Sequence, residues 1–134
     1  MMQKDNRMIA FVCTGNTCRS PMAEAIFNDM AEKNGVCVRA ESFGIATSTG
    51  LPVSENSVIA CKEIGIDLSG KASTAVADAG IEKYEKFYCM SQSHAKMLMQ
   101  FFLVQPEKIA VLGISDPYGG DIEVYRHCRD EIVN

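Results

Sequence analysis

Residues 8–31 read MIAFVCTGNTCRSPMAEAIFNDMA and predict a strand, a polar loop and a helix in succession. The apolar run at residues 8–12 is typical of a buried β-strand. After a polar loop, apolar residues recur three and four positions apart, as they do on one face of a helix. Ser20 is placed to cap that helix, Pro21 suits its first turn, and Gly35 ends it. The predicted apolar stripe of the helix consists of Met22, Ala23, Ile26, Phe27, Met30 and Ala31.

Strand-like and helix-like segments continue to alternate along the rest of the chain. Strands are predicted at residues 8–12, 36–40, 86–89 and 108–112, and further helices at residues 55–64, 91–102 and 121–133. This alternation predicts an α/β fold in which a parallel sheet is covered by helices on both faces. The 134 residues, 47% of them hydrophobic, fit one domain over residues 1–134. Residues 72–80 are rich in small side chains and predict a surface loop.

The charge balance narrows the classes of partner. Thirteen basic and 17 acidic residues give a formal net charge of −4, so no large basic field is available to bind nucleic acid. The polar N-terminus and the short apolar run after it predict neither a secretion signal nor a membrane span. We therefore expect a cytoplasmic protein that has no nucleic-acid or membrane partner and holds any anion in a small, locally built site.

Most of the cysteines and both histidines are predicted to have structural roles. In a reducing cytoplasm the six cysteines are candidates for catalysis, metal binding or core packing rather than for disulfides. Cys37, Cys61 and Cys89 lie in apolar runs and are predicted to be buried. His94 and His127 are predicted to be exposed helix residues.

The loop between the first strand and the first helix has the composition of an anion-binding site. At a helix N-terminus, unpaired backbone amides and the helix dipole favour negative charge. Gly15 and Asn16 tolerate left-handed backbone conformations, so the loop amides can converge on one point. Arg19 adds a planar fork for two phosphate oxygens. The sequence of the predicted phosphate loop is Cys13-Thr14-Gly15-Asn16-Thr17-Cys18-Arg19-Ser20.

Cys13 is the predicted nucleophile of this loop. The helix N-terminus, Arg19 and the Ser20 hydroxyl all favour an ionised sulfur, which can accept a phosphoryl group as a thiophosphate intermediate. A structural zinc site that uses Cys13 and Cys18 is disfavoured, because the chain has no second close pair of cysteines or histidines. The glycine-lysine pattern of a nucleotide-binding P-loop is also absent.

Residues 116–120, DPYGG, form a turn sequence after the last predicted strand. Parallel strands end at a common edge of the sheet, so this turn is expected to face the loop of Cys13. Asp116 is therefore predicted to protonate the leaving group and then to accept a proton from the attacking water.

Residues 12–24 and 116–120 resemble the sequence motifs of the low-molecular-weight protein tyrosine phosphatases. The resemblance extends over essentially the whole chain. The resemblance implies a four-stranded parallel sheet flanked by helices on both faces. It also implies Cys13 as nucleophile, Arg19 as phosphate clamp and Asp116 as general acid, without metal or cofactor. The expected substrates are phosphorylated proteins, and inorganic phosphate is the expected product. The expected substrate-binding residues are Thr14, Gly15, Asn16, Thr17, Cys18, Ser20 and Tyr118.

Two positions resemble the bacterial protein arginine phosphatases within that family. Thr17 stands where tyrosine phosphatases usually carry a bulky aliphatic residue, and Gly119 stands where they usually carry a second aromatic residue. A threonine hydroxyl can hydrogen-bond a polar leaving group, and a glycine beside Tyr118 removes a ring that would stack on a phenol. We therefore predict a protein arginine phosphatase, with a protein tyrosine phosphatase as the alternative.

One residue departs from the family pattern, and two other functions that use the same kind of loop are disfavoured. Lys71 stands where many family members have a histidine that supports the loop asparagine, so the surroundings of Asn16 and Ser42 are expected to differ. An arsenate reductase shares the loop but needs a relay of cysteines, and after Cys89 none occurs in residues 90–97. A phosphate-binding module without turnover is disfavoured because both Cys13 and Asp116 are present.

Overall fold

The computed structural model describes residues 7–76, 80–114, 117 and 120–133. Strands and helices alternate along these residues, as the sequence predicts. The strands are β1 (Arg7–Cys13), β2 (Val38–Gly44), β3 (Lys86–Cys89) and β4 (Ile109–Val111). The α-helices are α1 (Arg19–Lys33), α2 (Glu55–Lys62), α3 (Gln92–Phe101) and α4 (Ile122–Val133). Single 3-10 turns, Ile81–Lys83 and Pro106–Lys108, precede β3 and β4.

The strands form a four-stranded sheet in the order β2-β1-β3-β4, and every neighbouring pair is parallel. Ile9 of the central strand β1 pairs with Ala40 on one side and with Lys86 on the other. This arrangement confirms the predicted α/β class. Because parallel strands end at the same edge, the residues that follow β1, β2 and β3 are brought together there.

The side chains of β1 alternate between two hydrophobic clusters. Ile9, Phe11 and Cys13 belong to a cluster that includes buried residues of α1, α2 and α4. Ala10 and Val12 belong to the other cluster, which includes buried residues of α3. A strand that is apolar on both faces needs cover on both faces. The sheet is accordingly covered on both sides, as predicted.

The second predicted strand is displaced toward the C-terminus. Val36 is half-exposed. It directly follows Gly35, which adopts a left-handed conformation at φ +66° in the turn after α1. Cys37 is exposed, so its predicted burial is wrong, whereas the burial predicted for Cys61 and Cys89 is confirmed. The polar residues of β2 hid the true strand from the sequence pattern. Polar residues are tolerated there because β2 is an edge strand with one neighbour.

Helix α1 differs from the prediction at its start. Cys18, not Ser20, occupies the N-cap position and makes no side-chain capping bond. Ser20 lies in the first turn, and its hydroxyl contacts the sulfur of Cys13 instead. Met30 of the predicted apolar stripe is half-exposed, whereas Met22 is fully buried. No helix in the described part of the chain has the length and apolar character needed to cross a membrane.

Candidate active site

Cys13 is the last residue of β1 and pairs with Gly44, the last residue of β2. A Cβ atom at Gly44 would lie 2.8 Å from the carbonyl oxygen of Thr14 and 3.0 Å from the amide nitrogen of Asn16. Such contacts are too short for any side chain. Glycine at position 44 therefore lets the loop after Cys13 lie close against β2.

The sulfur of Cys13 is surrounded by hydrogen-bond donors. The side chain is buried, with 3% exposed. The backbone N–H of Asn16 donates to Sγ over 3.1 Å, and Oγ of Ser20 lies 2.8 Å from it. Both groups lie at the N-terminal end of α1, where the helix dipole favours negative charge. These groups converge on the atom that the sequence predicts to be the nucleophile.

Asn16 is the central support of the loop. It is fully buried and adopts the left-handed conformation at φ +55°, which asparagine tolerates better than most residues. Its Oδ1 accepts from the amide of Thr74 over 2.7 Å. Its Nδ2 donates to Oγ of Ser20 over 2.8 Å and to Oγ of Ser42 over 3.0 Å. Thr74 lies in the predicted surface loop of residues 72–80. Ala72 and Gly80 are exposed as that prediction expects, whereas Ser73 and Val76 are buried; residues 77–79 are outside the described residues.

Lys71 joins the same network through a carboxylate. Its Nζ lies 2.9 Å from Oε1 of Glu24, which also accepts from the Ser42 hydroxyl over 2.6 Å. Both side chains of this ion pair are largely buried. Lys71 is thus connected to Asn16 by an ion pair with Glu24 and the Ser42 hydroxyl, and the expected difference from other family members stays a prediction.

The network has a defined hydrogen-bond direction. A carboxylate only accepts, so Ser42 donates to Glu24 and accepts from Asn16. The Asn16 amide is fixed in the same orientation by the Thr74 amide and also donates to Ser20. The Ser20 hydroxyl then has its own hydrogen available for the sulfur.

Arg19, the first residue of α1, is buried with its guanidinium directed to the edge of the sheet where the strands end. Its Nη1 donates to the carbonyl of Ile114 over 3.0 Å. The amide of Ile114 donates to the carbonyl of Met90, directly after β3. The chain therefore leaves β4 toward the loop of Cys13. Asp116, Tyr118 and Gly119 lie outside the described residues, so their predicted roles stay predictions.

The other predicted loop residues differ in exposure. Thr14 is exposed, Gly15 and Thr17 are half-buried, and Cys18 is buried. The carbonyl of Thr17 accepts from the amide of Ser54 over 2.8 Å, which fixes this part of the loop to the start of α2. The sulfur of Cys18 lies 3.4 Å from the hydroxyl of Tyr125 in α4.

His94 is a member of the site that the sequence reasoning missed. The prediction of an exposed residue is wrong: only 4% of His94 is exposed, and its Nε2 lies 2.9 Å from Oγ1 of Thr14. The available signal was its spacing of four residues from the buried Leu98, which places both on one helix face. His127 is exposed, as predicted.

The cysteines outside the loop have different chemistry. Burial raises the pKa of the Cys61 thiol to about 11 and that of Cys89 to about 12. Both therefore remain protonated and unreactive near neutral pH. Among the described residues no cluster of histidine, cysteine and acidic side chains is placed to hold a metal ion.

Comparisons with known proteins agree on one family. Residues 8–134 match the family described as low molecular weight phosphotyrosine protein phosphatase. A protein-arginine-phosphatase from Bacillus subtilis (strain 168) is 34% identical over 133 residues, covering 92% of this chain and 88% of that protein.

Two solved structures show the same fold. A low molecular weight protein tyrosine phosphatase from T. tengcongensis superposes with a TM-score of 0.90 at 34% identity, covering 96% of this chain and 93% of the other. The YwlE arginine phosphatase, solved as a cysteine-to-serine mutant with a phosphorylated active-site serine, superposes with a TM-score of 0.89 at 32% identity. That match covers 94% of this chain and 88% of the other.

Proposed function

This chain belongs to the low molecular weight phosphotyrosine protein phosphatase family and is a phosphatase, and we propose that it hydrolyses phosphoarginine in proteins with Cys13 as nucleophile. The observation that carries the proposal is the set of contacts at the Cys13 sulfur. A backbone amide at 3.1 Å and a hydroxyl at 2.8 Å meet it at the N-terminus of α1. This is an environment that suits both a thiolate and the phosphoryl group it attacks.

The reaction proceeds in two steps. The Cys13 thiolate attacks phosphorus, the S–P bond forms, and the P–N bond to the guanidine breaks while Asp116 gives the leaving nitrogen its proton. Water then loses a proton to Asp116 and attacks phosphorus. The S–P bond breaks, which releases inorganic phosphate and restores the thiolate. Arg19 and the loop amides neutralise the charge on the phosphoryl oxygens in both steps.

A relative supports the covalent step. The YwlE mutant carries phosphate on an active-site serine that replaces a cysteine. A residue at the nucleophile position of that enzyme therefore accepts a phosphoryl group. By analogy, the phosphoryl acceptor in this chain is Cys13, which ends β1 and opens the loop.

The preference for phosphoarginine rests on the residues that line the loop. Thr17 offers a hydroxyl to a guanidinium N–H, whereas an aliphatic residue would offer only apolar contact. Gly119, next to Tyr118 in the sequence, carries no side chain and therefore supplies no second ring to stack on a phenol. The 34% identity to a protein-arginine-phosphatase supports this choice. The residues proposed to contact substrate are Thr14, Gly15, Asn16, Thr17, Cys18, Ser20 and Tyr118.

A protein tyrosine phosphatase is the second candidate. The T. tengcongensis structure matches this chain as well as the YwlE arginine phosphatase does. The two functions share the nucleophile, the clamp and the acid, so only the leaving-group pocket separates them.

Two other functions are disfavoured. An arsenate reductase needs an accessible second thiol, but Cys89 is fully buried and its pKa is raised to about 12. A phosphate-binding module has no need for a nucleophile, yet the loop begins with Cys13, whose sulfur accepts from a loop amide.

The proposed setting is a reducing cytoplasm. All six cysteines carry free thiols, which suits a nucleophile that must stay reduced. The net charge of −4 disfavours nucleic acid as a partner, so phosphorylated proteins are the proposed substrates. No membrane partner is proposed.

One comparison tests the proposal. Two peptides of the same sequence, one with phosphoarginine and the other with phosphotyrosine, are hydrolysed by the wild-type protein, and kcat/KM is measured for each. We expect the larger value for phosphoarginine. A larger value for phosphotyrosine assigns the protein to the second candidate. Hydrolysis of neither peptide would overturn both assignments.

A further inference from the structure

His94 links the loop of Cys13 to the sheet face opposite α1. It is the third residue of α3, a helix whose buried side chains pack in the cluster that contains Ala10 and Val12. Its Nε2 lies 2.9 Å from Oγ1 of Thr14, and its Nδ1 lies 3.1 Å from Oγ of Ser91. A buried imidazole needs partners for its nitrogens, and these two hydroxyls serve both.

Thr14 is held from two sides as a result. Its carbonyl accepts from the amide of Ala46 over 2.9 Å, on the side of β2. Its hydroxyl contacts His94, on the side of α3. Because Thr14 directly follows Cys13, these two contacts fix the first turn of the loop.

The start of α3 departs from ordinary capping in order to hold the ring. Ser91 is the N-cap residue, a position where serine normally accepts from an amide of the first turn. Here it makes no side-chain capping bond. Its hydroxyl contacts Nδ1 of His94 and, at 2.9 Å, Oγ of Ser93 instead. Departures from local structural rules concentrate at functional sites, so this diversion points to a role for the ring beyond packing.

We propose that His94 is a positioning residue for the phosphatase reaction, which acts by holding the Thr14 hydroxyl and so the first turn of the phosphate loop. The proposal rests on the function proposed for the Cys13 loop. Fixed donors stabilise charge that develops during phosphoryl transfer, so a loosened loop slows the chemical step more than it weakens binding.

Two substitutions of His94 separate the two ring contacts. The amide of glutamine reaches the place of Nε2, whereas the amide of asparagine reaches only the place of Nδ1. We expect His94→Asn to lower kcat about tenfold, the size of one hydrogen bond, with little change in KM. We expect His94→Gln to retain most of the activity, because it preserves the contact with Thr14.

Thr14 provides a second test that leaves the buried ring in place. Thr14→Val should lower kcat as much as His94→Asn, and Thr14→Ser should restore most of it. The double variant of Thr14→Val and His94→Asn should lose no more than either alone. Ser93→Ala, which alters the start of α3 but not the link to the loop, is the matched control.

The readouts use p-nitrophenyl phosphate, so they do not depend on which phosphoamino acid is the substrate. Equal losses in His94→Gln and His94→Asn, or an unchanged kcat in Thr14→Val, would overturn the positioning role. Protection of Cys13 from iodoacetamide by inorganic phosphate is measured in parallel on the wild-type protein. Absence of that protection would overturn the proposed phosphate site itself, which is a different result from failure of the His94 link.

Discussion

Nζ of Lys71 lies 2.9 Å from Oε1 of Glu24, at the far end of the hydrogen-bond chain that reaches the sulfur of Cys13. The ion pair keeps a carboxylate acceptor beside the Ser42 hydroxyl, and this acceptor and the Thr74 amide together set the direction of the later hydrogen bonds. A charge that never touches substrate thereby influences the donor at the nucleophile.

Lys71→Met should therefore slow the chemistry at Cys13. Without the lysine, Glu24 loses the cation that holds its carboxylate beside Ser42, so the acceptor of the Ser42 hydroxyl is free to move. We expect the alkylation of Cys13 by iodoacetamide at neutral pH and kcat both to fall by about three- to tenfold, the worth of one hydrogen bond.

The control is an ion pair whose lysine is exposed. Lys33→Met removes the bridge to Asp29 on the surface of α1, away from the network. It should change neither rate, since exposed ion pairs contribute little. Alkylation that stays at the wild-type rate in Lys71→Met would show that Glu24 holds the network without its partner.

Much of the fold follows from apolar periodicity. Strand β3 is predicted to the residue, because buried β-strands read as short apolar runs bounded by polar ones. Strand β2 is displaced because an edge strand carries polar residues that interrupt the pattern. The loop of Cys13 is predictable because strand, glycine-asparagine turn and helix are contiguous in sequence.

The supports of that loop come from distant parts of the chain and give little local signal. The amide of Thr74 reaches Asn16 across 58 residues, and His94 reaches Thr14 across 80. Such contacts depend on where the sheet brings segments together, and no short-range pattern encodes them. The spacing of His94 from Leu98 indicates a buried helix face, but the contact with Thr14 cannot be read from it, because Thr14 lies in a distant segment.

Cys13→Ser should abolish turnover while inorganic phosphate and vanadate still bind. The loop amides and Arg19 remain in the variant, but a serine hydroxyl is a far weaker nucleophile than a thiolate.

Asp116→Asn should retain the nucleophile and lower kcat by roughly 10² to 10⁴, the usual contribution of general acid catalysis. Steady-state kinetics and calorimetry with phosphate check both variants. Normal activity of Cys13→Ser would refute the proposed mechanism.

Cys18 should protect the nucleophile from irreversible oxidation. Peroxide converts the Cys13 thiolate to a sulfenic acid, and the Cys18 thiol can attack that sulfur to form a disulfide and release water. In Cys18→Ser the sulfenic acid meets no such thiol, and excess peroxide oxidises it further to a sulfinic acid, which dithiothreitol does not reduce. Peroxide-treated wild type should therefore recover activity with dithiothreitol, whereas treated Cys18→Ser should not. Equal recovery would mean that Cys18 serves packing alone, through its contacts with Tyr125 and Ser54.

Glu63 should make stability depend on acid pH. Hydrogen bonds from Arg126, followed by those from Arg129, lower the pKa of Glu63 from 4.5 to about 2. A lowered folded-state pKa gives stabilisation that is present above pH 4.5 and is lost as the pH falls toward 2. The melting temperature of wild type should therefore fall more steeply over this range than that of Glu63→Gln. If the melting temperatures of the two proteins fall in parallel as the pH is lowered, solvent screens the interaction of Glu63 with Arg126 and Arg129.

Thr17→Ile should separate the two leading functions. If the Thr17 hydroxyl binds a guanidinium N–H, its loss leaves a polar leaving group without a partner, and kcat/KM for phosphoarginine falls. Isoleucine adds apolar contact for a phenol, so kcat/KM for phosphotyrosine is preserved or rises. The nucleophile, the clamp and the acid are unchanged in the variant.

The two effects should differ in size. A site built to hydrogen-bond a group can discriminate by about 10⁴ or more, whereas added apolar contact is worth about 1–3 kcal/mol. The loss on phosphoarginine should therefore exceed the gain on phosphotyrosine when both kcat/KM values are measured for wild type and variant. Thr17→Ser, which keeps the hydroxyl, is the control and should retain the wild-type preference. If Thr17→Ile leaves the ratio of the two kcat/KM values unchanged, Thr17 only packs the loop between Cys18 and α2. That result would favour the tyrosine phosphatase assignment over the arginine phosphatase assignment.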